Sequence, residues 1–131
     1  MTTETVAASR WLPLAARVMI AAIFLLAGIN KIADPASTIG YIESVGLPAP
    51  TLALWGAIIV EVLGALALIA GFKTRITAFA LAAFSLVTAV VFHNQIGDPT
   101  QFVMFFKNIA IAGGLLQIAA FGPGALSIDR G

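Results

Sequence analysis

The chain has 131 residues, of which 60% are hydrophobic and 10% are charged, and its net charge at pH 7 is +1. Soluble domains carry about 25% charged residues, so we predict one integral membrane domain spanning residues 1–131, with the lipid bilayer as its surroundings. The sequence has no cysteine and one histidine, which argues against disulfides, Fe–S clusters and His-rich metal or haem sites. Because the basic residues form no run, we expect no nucleic-acid partner.

Four apolar segments follow a short polar stretch, and each can cross a bilayer, for which a helix needs about 20 residues and at least about 17. Pro13 suits the first turn of the first helix, and the Asp34-Pro35 pair suits its end. Pro50 precedes the second helix, and the glycines at 122 and 124 follow the fourth. We predict an all-α bundle of four transmembrane helices, at about 13–33, 51–72, 75–93 and 102–121.

The distribution of Lys and Arg predicts how the bundle is oriented. Four spans place both termini and the 73–75 loop on one side, with the 33–50 and 94–101 loops on the other. Five basic residues lie on the first side and two on the second, namely Arg10, Arg17, Lys73, Arg75 and Arg130 against Lys31 and Lys107. We therefore predict cytoplasmic termini in a multi-pass protein of the bacterial inner membrane. Since Arg17 interrupts the first apolar run, we expect no cleaved signal peptide.

Glu61 lies near the middle of an otherwise apolar segment, where a lone carboxylate costs a few kcal/mol or more. Its pairing partner should be Arg17 or Lys107, and the sequence leaves that choice open. Helical spacing puts charged and small residues on shared faces, which should meet inside the bundle. These faces are Arg17, Ala21, Phe24, Gly28 and Lys31 in the first helix, Glu61, Gly64, Leu68 and Gly71 in the second, and Lys107, Ala110, Gly114 and Gln117 in the fourth.

These faces predict a polar pocket that opens outward and is closed below by Arg17 and Glu61. Its cations outnumber its single carboxylate, so the occupant should be an anion or a molecule that gains negative charge, such as a small oxyanion or a quinone being reduced, rather than a metal ion. The candidate catalytic residues are Glu61 and His93, as proton relays. The candidate substrate-binding residues are Arg17, Asn30, Lys31, Lys107 and Asn108.

Four of these residues also have a structural interpretation. Arg17 can snorkel to the headgroups, Lys31 can anchor a helix end, Glu61 can fix helix packing, and His93 can lie at the membrane interface.

Several stretches occur in an order that resembles a known family. They are Arg17 with the FLLAGINK run at 24–31, Tyr41 with GLP at 46–48, EVLG at 61–64, GFKTR at 71–75, His93, Lys107-Asn108 with GGLL at 113–116, and GPGALSID at 122–129. Over residues 14–129 the chain resembles the DoxX family of small four-helix membrane proteins. The resemblance implies a membrane component of a redox system, since relatives include a quinone-linked thiosulfate oxidoreductase subunit type and members of oxidative-stress complexes.

The leading hypothesis is a membrane subunit of a redox system that binds quinone or a small sulfur oxyanion. Whether the chain is itself part of a quinone-linked oxidoreductase stays open. Quinone is the one cofactor expected, with no metal, haem or Fe–S cluster. The alternatives are a carrier or channel for a small solute, which needs access from both sides, and a structural partner in a larger complex. A protein partner or a homo-oligomer is expected.

Overall fold

Five α-helices make up the structure, a computed structural model that describes residues 3–129, with side chains from residue 8 onward. They are α1 (Thr3–Ala33), α2 (Pro35–Ser44), α3 (Pro50–Ala70), α4 (Thr74–Phe92) and α5 (Pro99–Phe121). Four of them, all except α2, are long and apolar enough to cross a membrane. The prediction of an all-α protein with four spans is therefore confirmed for the described part of the chain. Residues 130–131, which include the Arg130 used in the orientation argument, lie outside it.

One predicted helix start was wrong, and one helix lies where a loop was predicted. Helix α1 begins at Thr3 rather than Pro13, so Pro13 lies inside the helix; its φ is compatible with a helix, although it lacks an N–H donor and crowds the carbonyl of the preceding turn. The predicted 33–50 loop contains α2, which begins after Asp34, whose carboxylate accepts from the Ser37 amide at 3.3 Å. Proline at the first position of α2 makes that start favourable, since its missing N–H would lack a helical partner anyway.

The spanning helices form two pairs, α1 with α3 and α4 with α5. The pairs meet in a core of small and branched residues near the end of the molecule that carries the 71–73 loop. Glycines set the close approaches: a Cβ at Gly28 would lie 2.6 Å from Val62 Cγ2, and one at Gly64 would lie 2.9 Å from Leu81 Cδ2. Since adding a methyl group there would displace a neighbour, α1 packs tightly on α3, and α3 on α4 at mid-length.

The predicted inward faces hold for two helices and fail for the third. On the α1 face, Arg17, Ala21, Phe24 and Gly28 are buried and Lys31 is partly buried; on the α3 face, Glu61, Leu68 and Gly71 are buried and Gly64 is partly buried. On the face predicted for α5, Lys107, Ala110 and Gln117 are exposed, and Gly114 alone of the four is partly buried. The buried α5 residues are instead Ala112, Leu115 and Ile118. Asn108, and not Lys107, bonds to α4. Compared with the predicted orientation, α5 is therefore rotated about its axis by about 100°, the angle between consecutive residues of a helix.

After α5, the tail at residues 122–129 crosses the end of the bundle that carries the 71–73 loop. We call this the tail end, and the opposite end the cavity end. The amides of Ile128 and Asp129 donate to the carbonyls of Ala70 (3.1 Å) and Gly71 (2.9 Å). The Asp129 carboxylate accepts from the Lys73 and Thr74 amides, both at 2.7 Å, and so caps the start of α4. Hydrogen bonding by Thr74, and then by Lys73, holds the pKa of Asp129 below its usual value.

Candidate functional site

A cavity of about 640 Å³ lies between the two helix pairs at the cavity end, and all five helices contribute to its walls. Most of the lining side chains are apolar, including Phe24, Val60, Phe84 and Ile111. The polar lining residues are Lys31, Thr38, Tyr41, Glu61, Ser85, Thr88, His93, Lys107 and Asn108. The combination of an apolar wall and a few polar groups is typical of a small-molecule site.

The central polar feature is an ion pair between α1 and α3. Lys31 Nζ lies 2.8 Å from Glu61 Oε1 and 3.1 Å from Oε2. The Glu61 side chain is 5% exposed and that of Lys31 is 23% exposed. Gly28, one turn before Lys31, lets α1 approach the backbone of α3 near Glu61, so the lysine reaches the carboxylate directly. The predicted pairing with Arg17 or Lys107 was wrong.

Arg17 lies at the other end of α1, fourteen positions before Lys31, which is about 21 Å along a helix. It is 1% exposed and donates from Nη1 to the carbonyls of Leu68 (3.0 Å) and Ile69 (3.1 Å). Nη2 donates to the carbonyl of Leu126 in the tail. These α3 carbonyls belong to its last turn, where the regular donors of a continuing helix are missing and the helix dipole favours a cation. The Leu68 carbonyl also accepts from the Gly71 amide, at 3.2 Å. Arg17 therefore neither snorkels to the headgroups nor closes the cavity from below.

The remaining predicted site residues divide between wall and surface. Asn108 lines the cavity and donates from Nδ2 to Thr88 Oγ1 (3.1 Å) and, at 3.4 Å, to the Ser85 carbonyl. His93 follows α4 at the cavity mouth, with Nδ1 3.1 Å from Gln101 Oε1. Lys107 is exposed and lies on the rim. Asn30 is exposed and does not contribute to the lining.

Helix α2 contributes to the site, which the sequence-based expectations did not include. Tyr41 donates from its hydroxyl to the Phe92 carbonyl at 2.7 Å, and the two rings stack with centroids 5.5 Å apart. This contact joins α2 to the end of α4 and covers the cavity mouth. The signal was present in the spacing of Thr38, Tyr41 and Ile42, which share one face of a short helix.

We expected three cations and one carboxylate around the cavity, and the structure has a different charge balance. Lys31 and Glu61 neutralise each other, and Arg17 is elsewhere, so Lys107 is the one cation of the described lining without a carboxylate partner. Among the described residues, no group of three or more His, Cys, Asp or Glu side chains is arranged to hold a metal ion. The arrangement can hold one polar group against the Lys31–Glu61 pair and an apolar body against the rest of the wall.

Comparison with known proteins identifies the family. The DoxX family matches residues 12–94, more than half of the chain. The Escherichia coli K12 protein named Inner membrane protein YqjF is 44% identical over 117 residues, covering 89% of this chain and 88% of that protein. Inner membrane protein YphA of the same organism is 38% identical over 122 residues, covering 89% and 87%. No solved structure matches. This chain is therefore a multi-pass inner-membrane protein that belongs to the DoxX family.

Proposed function

We propose that this protein is the membrane subunit of a redox system and that its cavity binds the head group of a quinone. One observation carries the proposal: a buried ion pair, Lys31–Glu61, forms part of the wall of a largely apolar cavity of about 640 Å³. A quinone head group combines an apolar ring with two carbonyl acceptors, so it suits an apolar wall with few donors.

The lining supplies donors of the required kind. The Lys31 ammonium has three N–H groups and remains 23% exposed beside its carboxylate partner, so it can also donate to a ligand carbonyl. Lys107 at the rim can stabilise negative charge. When bound, a quinone accepts two electrons and two protons, the electrons coming from a partner protein that carries its own redox group.

Glu61 and His93 are proposed to hold and pass the protons. The Glu61 carboxylate is next to the cavity and shielded from bulk solvent, and His93 lies at the mouth beside Gln101. A proton entering from the mouth would therefore meet the histidine first and the carboxylate last.

The charge balance favours quinone over a small sulfur oxyanion. An oxyanion in this cavity would lose hydration against apolar side chains and would gain one unpaired cation, Lys107, which is exposed. Burying an anion with incomplete pairing is costly. A neutral quinone avoids that cost.

A carrier or channel is less well supported. The tail closes the end opposite the cavity, held by Arg17, by backbone hydrogen bonds to α3 and by the Asp129 cap on α4. A transport path would require this set of contacts to open. The cavity is therefore proposed to exchange its ligand on one side only.

The orientation is also a proposal, supported by the five-to-two asymmetry of basic residues. The tail end would face the cytoplasm and the cavity mouth the periplasm. Single cysteines at Thr38 and Gly97 should react in intact cells with a reagent that cannot cross the inner membrane, whereas one at Thr74 should react only after lysis. The reverse pattern would overturn this orientation.

The binding proposal is tested with the full chain in lipid nanodiscs and a benzoquinone that carries no side chain. Lys31→Met and Glu61→Gln should weaken its binding by about tenfold or more, equivalent to about 1.4 kcal/mol. Lys73→Met is the matched control, because Lys73 is exposed at the tail end, and it should bind as the unaltered protein does. Absence of binding to the unaltered protein would overturn the proposal.

A further inference from the structure

Helices α3 and α4 pack closely at mid-length, and farther along both of them line the cavity. Gly64 of α3 packs against Leu81 of α4 at mid-length, within the core shared by the two helix pairs. Farther toward the cavity end, the buried α3 residues Leu54 and Ile58 pack instead with Ile42 of α2. At the cavity end, Phe92, the last residue of α4, packs against this second cluster.

A gap between α3 and α4 remains between these two contacts, and its edges are apolar. Gly56 and Val60 of α3 and Val87 of α4 line the cavity and are also exposed, Val60 to 37% and Val87 to 59%. Apart from its chain neighbours and the nearby backbone of its own helix, no heavy atom in the described part of the chain lies within 4 Å of a Cβ built on Gly56. We call this gap, edged by Gly56, Val60 and Val87, the side window.

The side window lies at the depth of the lipid chains. Gly56 is six residues into α3, about 9 Å along the axis, and Val87 is five residues before the end of α4, about 8 Å. Both distances fall inside a hydrocarbon core that is about 30 Å thick. When these helices span a bilayer, residues exposed at this depth contact lipid, so an opening here would connect the cavity to the bilayer interior.

We propose that the ligand enters through the side window and is an amphiphile, with a polar head beside Lys31–Glu61 and an apolar chain extending between α3 and α4 into the bilayer. This rests on the proposed function, and it narrows the quinone class to members with long apolar chains. The other exposed lining residues are Ile23 of α1, Tyr41 of α2 and Lys107 of α5. Because Lys107 carries a charge, an opening beside it is less suited to an apolar chain than the side window, which is edged by Gly56, Val60 and Val87.

The first experiment compares two open glycines. Gly56→Phe places a ring in the side window, whereas Gly113→Phe places one on the lipid side of α5, where a Cβ likewise has no neighbour within 4 Å and the cavity is not involved. Each variant is titrated in nanodiscs with a benzoquinone lacking a side chain and with one carrying a long isoprenoid chain. Because Gly56 also lines the cavity, the comparison is between the two ligands: Gly56→Phe should weaken binding of the long-chain quinone by about tenfold more than it weakens binding of the chain-free quinone. Gly113→Phe should alter neither.

The outcomes separate the two proposals. If Gly56→Phe leaves both quinones unchanged, or weakens both equally, the side window is overturned while head-group binding stands. If neither quinone binds the unaltered protein, the proposed function fails, and a measurement without a bound ligand decides on the window. A nitroxide attached to a cysteine at Val60 should collide with oxygen dissolved in the lipid and not with a water-soluble nickel complex. Preferential collision with the nickel complex would overturn the side window.

Discussion

Arg17 and Lys31 lie on the same face of α1, yet their surroundings differ in kind. Arg17 is 1% exposed and donates to three backbone carbonyls at the tail end. Lys31 donates to one carboxylate and remains 23% exposed toward the cavity. Carbonyls at a helix C-terminus cannot be neutralised or moved without unwinding the helix, so Arg17 is fixed. A lysine beside a carboxylate keeps a free donor and can respond to a ligand.

The two ends of the bundle therefore divide their tasks. At the tail end, Arg17 binds the last turn of α3 and Arg75 binds the Ala120 carbonyl in the last turn of α5, at 2.9 Å. The tail and the Asp129 cap complete this end. At the cavity end the helix pairs separate and the polar groups surround a space. We expect mutations at the tail end to change stability, and mutations at the cavity end to change binding.

The largest effect should come from Arg17→Met, which keeps the length of the side chain but removes its donors. Three carbonyls, one in a buried and two in part-buried hydrogen bonds, would lose a charged donor, at a cost of about 2–4 kcal/mol in the free energy of unfolding. Unfolding in detergent, followed by circular dichroism against denaturant, measures that loss. Binding of the chain-free quinone to the folded fraction should be unchanged. A loss of binding without a loss of stability would reverse the assignment of the two ends.

Glu61→Gln should have the second-largest effect on stability and the largest on binding. It leaves the Lys31 ammonium without its counter-charge, and because Lys31 is 23% exposed, the cost should be about 1–2 kcal/mol, below the value for a fully buried pair. Replacing both residues by Lys31→Met with Glu61→Leu should restore stability and not quinone binding. If the double variant regains binding, the pair acts only in packing.

Tyr41→Phe tests the cover of the cavity. It removes the hydrogen bond to the Phe92 carbonyl and keeps the stacked rings, so the cost should be about 1 kcal/mol, felt mainly as opening of α2. Hydrogen exchange of the amides in Pro35–Ser44 should become faster, and the chain-free quinone should dissociate faster. Ser44→Ala, which removes only a bond within α2 to the Tyr41 carbonyl, is the control. Equal effects of both variants would mean that α2 is not held by Tyr41.

The smallest effect concerns the acid sensitivity of the tail. The pKa of Asp129 is lowered in the folded protein by hydrogen bonding from Thr74 and Lys73. A carboxyl whose pKa is lowered by folding stabilises the fold above its unfolded pKa, about 3.9, and loses that contribution as the pH falls through the folded value. The quantity to measure is the exchange rate of the Thr74 amide divided by its intrinsic rate at the same pH. Asp129 stays ionised between about pH 5 and pH 8, so this ratio should be constant there and should rise only below about pH 4. Asp129→Asn should abolish that rise, and if the rise persists the cap does not depend on the charge.

The sequence alone determined the membrane class, the four spans and the inward faces of α1 and α3. Those properties depend on local hydropathy and on the 3.6-residue period, both of which can be read along one segment. The positions of Glu61, Asn108 and His93 along their helices also indicated that all three lie in the same half of the bundle, where the structure has the cavity. Neither the direction of the termini nor the role of any of these residues in binding is decided by the same patterns, and both stay predictions.

Only the tertiary structure decided which groups meet. Glu61 pairs with Lys31 because Gly28 brings α1 and α3 together, and that approach depends on the relative shift of the two helices. The partners of Arg17 are backbone carbonyls, which every residue has and which therefore leave no mark in a sequence. The inward face of α5 was missed because a rotation of about 100° moves burial from Lys107 to Asn108. Helix rotation and sliding are set by side chains on the neighbouring helices, so no single segment contains that information.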